Sequence, residues 1–385
     1  MYSLRALMTL ALCSIVLTPV MADEASDARQ AFDRIVTAIN EKSFEPVKAT
    51  IDRAELSRRV NAVRPSAPQS RQALENQFWE MAEHFFWVSV PVATRDRKLE
   101  TVHFEFENGK GFAVLRVAGP DYTFAYSRIE FGHDSRGRLK IVDVVPFNAR
   151  PPMSVDMADY MATFQPTRVT TRALMTAKDL SEEEVFQISE LLKAYRDKDG
   201  GRYFRIYDAL DKRLQDEELL LRFNLLLAMY ANDTGRAVAF LRPFVEIHEE
   251  RNRFSVALAD MYIVFGELGK AYDALLQFKQ HYQLDEGATP ARLSALALAL
   301  GDLESAATHA VEATKLEPSL ELGWWSLLRA RAAAADFAGA LEALTALEDD
   351  FEHRLDAAKL RRDPYRAFGA LAASQEFKDW RTARD

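Results

Sequence analysis

Three short stretches repeat one pattern: Gly266-Glu267-Leu268-Gly269-Lys270-Ala271, Gly301-Asp302-Leu303-Glu304-Ser305-Ala306 and Ala335-Asp336-Phe337-Ala338-Gly339-Ala340. A turn residue is followed by an apolar or small side chain and then by alanine. Asn232-Asp233-Thr234-Gly235-Arg236-Ala237 is a looser copy upstream. The alanines Ala237, Ala271, Ala306 and Ala340 are spaced by 34, 35 and 34 residues. Other positions keep step with them. Leu225, Ala259, Ser294 and Leu328 precede each alanine at one offset, while Leu241, Leu275, Ala310 and Leu344, then Phe244, Phe278, Ala313 and Leu347, follow at two others. A fixed period of this length marks a supersecondary unit that buries its apolar face by stacking on copies of itself. Alanine is wanted where a second helix crosses its neighbour closely. Glycine at the turn takes a positive φ cheaply.

This pattern resembles the tetratricopeptide repeat. Four copies start near Glu218, Asn252, Gly287 and Glu321 and fill residues 218–351; Pro318 ends one, and Trp324 stands where the family usually has tryptophan. The extra residue falls in Leu284 to Pro290, a loop, where insertion is tolerated. The resemblance implies a solenoid whose first helices line a concave binding face. Along those helices the face reads Arg222, Leu226 and Tyr230, then Asp260, Ile263 and Val264, then Ala295 and Leu298, and finally Trp325 and Arg329. It lacks the lysine and asparagine clamp with which chaperone-binding members hold a terminal carboxylate. An apolar, small-residue groove suits an apolar helix or extended segment of a protein or peptide partner. Trp325 and Arg329 are of the types that dominate interface energies. Residues 352–385 read as the polar cap that hides a solenoid's last apolar face.

Upstream the period changes. From Asp23 to Val63 the spacing is helical, and a helix from about Ser70 to Phe86 puts Leu74, Phe78, Met81 and Phe85 on its buried side. Thr101 to Glu107 alternates, and Asn108-Gly109 is a hairpin turn into Phe112 to Val117. Tyr122 to Phe131 and Leu139 to Val145 complete an antiparallel meander. Helices followed by such a sheet resemble the cone fold of the ketosteroid isomerase and nuclear transport factor superfamily, or cystatin-like sheets. The resemblance implies a cavity between sheet and helices. Candidate lining residues are His103 and Glu105 on one strand, Tyr126 and Arg128 on another, and Asp143 on the last. His103 and Glu105 share one face, opposite Val102, Phe104 and Phe106. The same residues also suit a solvated face with cross-strand ion pairs.

Residues 149–217 form a helical bridge. There Ser181 can cap a helix opened by Glu182-Glu183-Glu184, Gly200-Gly201 breaks it, and another helix runs from Arg202 to Leu214.

The first residues read as an export leader. Arg5 precedes an apolar run from Ala6 to Val20, and Val20-Met21-Ala22 fits a cleavage site after residue 22. The run is short for a membrane span, so no stable span is expected after cleavage. Cys13 is the single cysteine of the chain and lies within the leader. The mature chain can therefore form no disulfide and no thiolate metal site. Export without disulfides fits a bacterial periplasm. The net charge is −9, which argues against nucleic acid as a partner. The seven histidines, His84, His103, His133, His248, His281, His309 and His353, never pair at a helical spacing, so no metal or other cofactor is expected.

The sequence thus predicts a multidomain protein: a leader at 1–22, an α+β domain at 23–148 with a four-strand antiparallel meander packed on helices, a bridge at 149–217, an all-α solenoid at 218–351 and a cap at 352–385. The function it suggests is that of a periplasmic or secreted, non-enzymatic interaction or scaffold protein. The alternative is a small-ligand binder or enzyme using a pocket in the first domain.

Overall fold

The structure is a computed structural model that describes residues 24–63, 68–91, 98–119, 123–148, 150–164, 168–177, 179–231, 233–251, 255–362 and 367–384. The expected leader, Tyr122 and Asn232 lie outside the described residues, as do the side chains of Leu74 and Tyr230. The chain divides into two compact units, one ending at Glu250 and one beginning at Arg251. The first contains the antiparallel sheet; the second is all helix.

In the first unit, helices α1 (24–40), α2 (Phe44–Thr50), α3 (Arg53–Val63) and α4 (Pro68–Ser89) precede strands β1 (Leu99–Glu107), β2 (Lys110–Ala118), β3 (Phe124–His133) and β4 (Leu139–Pro146). The strands pair in sequence order as the expected meander. Asn108 and Gly109 have φ of 52° and 73°. Two left-handed residues in a row make the turn that matches strand twist. One sheet face, with Ala113, Leu115, Ile129, Phe131, Ile141 and Val144, packs on Phe32, Ile39, Leu56, Phe78 and Phe86 of the helices. The Phe32 ring lies 5.7 Å from Phe104 and 5.1 Å from Phe131. Aromatic rings thus sit between α1 and this part of the sheet. One detail departs from simple alternation. The β1–β2 ladder passes from Thr101↔Leu115 to His103↔Val114, so Val102 is a bulge residue.

The unit continues through α5 (Met153–Phe164), α6 (Arg168–Leu174), α7 (Glu182–Arg196), α8 (Gly200–Asp208), α9 (Lys212–Gln215), α10 (Glu218–Tyr230) and α11 (Thr234–Arg251). Ser181 caps α7 as expected: its hydroxyl accepts the Glu184 amide, and Glu184 accepts the Ser181 amide at 2.7 Å. The single helix expected from Arg202 to Leu214 is two. Asp211 accepts the Arg213 amide at 3.0 Å and starts α9 afresh. The glycines open α8, because Asp199 accepts the Arg202 amide at 2.9 Å. Leu174, Ile188, Leu191, Tyr203, Leu214 and Leu220 form this region's core.

In the second unit, helices pair as α12 (Val256–Val264) with α13 (Leu268–His281), α14 (Ala288–Leu300) with α15 (Leu303–Leu316), and α16 (Glu321–Ala333) with α17 (Phe337–Asp349). Each hairpin packs on the next, and α14 also touches α16. Ala271, Ala306 and Ala340 are fully buried. Ala237, in the first unit, is half-buried. Helices α18 (Ala357–Arg362), α19 (Ala367–Ala373) and α20 (Gln375–Arg384) close the end. Leu360, Phe368, Leu371 and Phe377 join the core of Leu328, Leu344 and Leu347.

The three hairpin turns use one backbone shape. Gly266, Gly301 and Ala335 have φ of 72°, 83° and 56°. A side chain in this region is strained by about 1–2 kcal/mol, partly offset by glycine's extra freedom when unfolded. Ala335→Gly is therefore expected to stabilise the protein by about 0.5–1 kcal/mol. Chemical denaturation checks this; an unchanged or lower midpoint would contradict the strain.

Candidate functional site

The second face of the sheet carries the polar residues singled out in the first unit. Its cross-strand pairs include His103↔Val114, Glu105↔Phe112, Phe112↔Glu130, Arg116↔Tyr126, Arg128↔Val145 and Glu130↔Asp143. Phe112 organises the middle: the His103 ring stacks on it at 5.3 Å, and the Arg128 guanidinium lies 5.8 Å from its centroid. Arg128 pairs with Glu130, and Arg59 of α3 donates to Glu130 at 2.7 Å and approaches Asp143 at 3.5 Å. Asp143 also accepts the Ser154 hydroxyl at 2.5 Å and the Ser154 amide at 3.1 Å, at the start of α5. Burial pushes the Asp143 carboxyl above the usual carboxylate range, against those hydrogen bonds and Arg59. Glu55, on the other side of Arg59, is held at about 2, chiefly by the Arg58 side chain.

His103, Arg128 and Asp143 are thus brought together, through Phe112, Glu130 and Arg59. Glu105 is exposed, with its carboxylate 3.8 Å from the His103 ring. Tyr126 is 3% exposed and faces Arg116 instead. The charges of this face are committed to one another. Sequence spacing could show that Arg128 and Glu130 share a face. It could not show that Arg59 and Ser154, from distant helices, complete the network.

Of the expected groove residues, Arg222, Leu226 and Tyr230 belong to the first unit. Arg222 was expected on an open face, and the structure corrects this. It is buried and donates to Asp159 of α5 at 2.6 Å, which is itself buried. A guanidinium out of water needs an opposite charge beside it, and Asp159 supplies it. Leu226 is half-buried.

The remaining residues lie on the first helices of the second unit. Asp260 of α12 is exposed and pairs with Arg292 of α14, across the helix boundary. Ile263 and Val264, at the end of α12, are 40% and 61% exposed. Ala295 is exposed and Leu298 half-buried. At the far end, Trp325 is half-buried rather than open. Its indole N–H donates to Glu321 at 2.8 Å, His353 sits edge-on to the ring at 5.4 Å and holds the same carboxylate, and Arg329 lies 5.7 Å from the ring centroid. Trp324 is half-buried as well and donates to the Pro318 carbonyl at 2.8 Å. Both indoles pack against the core that includes the cap. Trp325 therefore meets His353 of the chain's own carboxy-terminal segment, and Arg329 lies against the indole. The open stretch of this face is Asp260, Ile263, Val264 and Ala295.

No protein-family model matches the chain, and no curated protein matches it. Among the described residues no three or more histidines, cysteines and carboxylates are grouped so as to hold a metal ion. Among them also, no helix is long and apolar enough to cross a membrane.

The Arg222–Asp159 pair generates a prediction. Arg222→Ala removes the guanidinium that pairs with the buried Asp159 carboxylate and is expected to cost about 3–5 kcal/mol. Arg222→Met combined with Asp159→Leu is expected to recover most of that loss. Denaturation midpoints check both variants. A neutral Arg222→Ala would mean that this arginine is free for a ligand after all.

Proposed function

We propose that the protein is an exported, periplasmic, non-enzymatic interaction protein, and that its second unit holds an apolar segment of a partner protein. The observation that carries the reading is the pair Ile263 and Val264. They are exposed on a first helix of a hairpin stack, beside a cross-helix ion pair, Asp260 with Arg292. Large apolar side chains left in water on a rigid stack mark a contact surface when they cluster. The ion pair gives such a surface a polar edge. The repeat spacing of 34 and 35 residues, the buried alanines and the left-handed turns support a tetratricopeptide-type stack. Grooves of that kind accept an apolar helix or extended chain. The export leader and the absence of cysteine after Cys13 support the periplasm as its place. On the polar face of the sheet the charges of Arg59, Arg128, Glu130 and Asp143 are engaged with one another, which supports a contact role for that face better than catalysis.

The expected test uses a photo-crosslinking residue at Ala295 in the full chain, expressed in a bacterial envelope, with the captured protein identified by mass spectrometry. Ile263→Asp with Val264→Asp is expected to lower the yield of that adduct at least about fivefold, the equivalent of ~1 kcal/mol. The helical melt should be nearly unchanged, because exposed substitutions move stability by only about 0.5 kcal/mol. An undiminished adduct yield in the folded variant would sink the proposed surface.

A further inference from the structure

A cleft of about 440 Å³ opens in the first unit between α1, α2 and the turn that joins β3 to β4. One face of α1 supplies Glu24, Asp27, Ala28, Ala31, Arg34 and Ile35. These recur at the three- and four-residue steps that place side chains in one row. Across the cleft stand His133, Arg138 and Leu139. Ala28, Ile35 and Leu139 are buried and make an apolar floor. Ala28 and Ala31 are small, which leaves room above the helix.

The charges around this floor divide into committed and uncommitted. Glu24 lies 3.4 Å from His133, and Arg138 is tied to Asp134 at 2.8 Å. Asp27 and Arg34 are exposed, and neither has an ion pair among the described residues. They sit on the same face of α1, two turns apart. At 1.5 Å of rise per residue their separation along the axis is about 10 Å. An extended chain of three residues spans about the same distance.

We propose that this cleft binds a short peptide with both termini free, about three residues long, with its ammonium at Asp27 and its carboxylate at Arg34. The apolar floor takes small aliphatic side chains. A single free charge would suit many ligands. Opposite charges at the two ends of an apolar strip select a dipolar one. The cleft volume is in the range of small-ligand sites, roughly 300–1,000 Å³. The site lies in the sheet-bearing unit and does not depend on the partner-binding surface proposed above.

The test is an NMR titration of the full chain with trialanine, with N-acetyl-trialanine and with trialanine amide. Free trialanine is expected to shift amide signals of α1 and of the β3–β4 turn. Blocking either end is expected to weaken binding about fivefold, as for an exposed ion pair of up to ~1 kcal/mol. In Asp27→Asn, acetylation should bring no further loss; in Arg34→Gln, amidation should bring none. Ala31→Trp, which fills the cleft, should abolish the shifts while the melt is kept. The proposal is overturned if no peptide shifts these signals. It is equally overturned if free and blocked peptides bind alike, or if the blocking penalties persist in the two charge variants.

Discussion

Two helices can approach only as closely as the side chains between them allow, and the second unit is organised around that limit. Ala271, Ala306 and Ala340 are fully buried at equivalent places in α13, α15 and α17. A methyl group there permits the close crossing that lets each hairpin nest on the next; a larger side chain would overpack the joint. The spacing of those crossings repeats, so the hairpins stack as equivalents. Their first helices then present matching positions side by side. Asp260 and Ala295 are exposed at one such level, and Arg329 occupies the same level in α16. A stack of this kind has no natural end, and the carboxy-terminal helices provide one. Phe368, Leu371 and Phe377 bury the apolar side of the last hairpin.

The same cap limits the binding face. Trp325 has the size and polarity of an interface anchor, yet its N–H is held by Glu321 and its ring by His353. An indole already satisfied inside the chain gains little from a second partner. Apolar surface stays open at the end of α12, where Ile263 and Val264 are 40% and 61% exposed. In the first unit the corresponding principle is electrostatic. Arg222 and Asp159 are charges drawn out of water that require each other, and half-buried Arg59 joins Glu130 to the buried Asp143. Their pairing ties α5 to α10 and α3 to the sheet. Uncommitted charges such as Asp27 and Arg34 are correspondingly informative, because neither has an ion pair among the described residues.

Much of the fold was legible in the sequence because local rules wrote it. The meander follows from alternation and from Asn108-Gly109, whose two residues adopt the left-handed pair that a tight hairpin needs. The start of α7 follows from Ser181 and Glu184, three residues apart. The hairpin stack follows from the alanine spacing, since close packing leaves a size signature at a fixed interval. The same local rules missed α6 and the break between α8 and α9, and set Val102 in line with Phe104. The bulge at Val102 is defined only against β2, and the restart at Asp211 rests on a side-chain cap, and periodicity along one element reads neither.

What the sequence by itself determined, then, is which residues are small, apolar or charged and how often they recur; from this came the element types, their order and the division into a sheet-bearing region and a helical stack. What only the tertiary structure decided is which side chains remain available. Arg222 and Val264 look equally suited to a groove when counted along their helices. One is buried against Asp159, 63 residues away in the chain, and the other is left 61% exposed. Helical periodicity gives the direction of a side chain relative to its own axis. Burial depends on what arrives on that side from elsewhere, and that is settled by packing between segments remote in sequence.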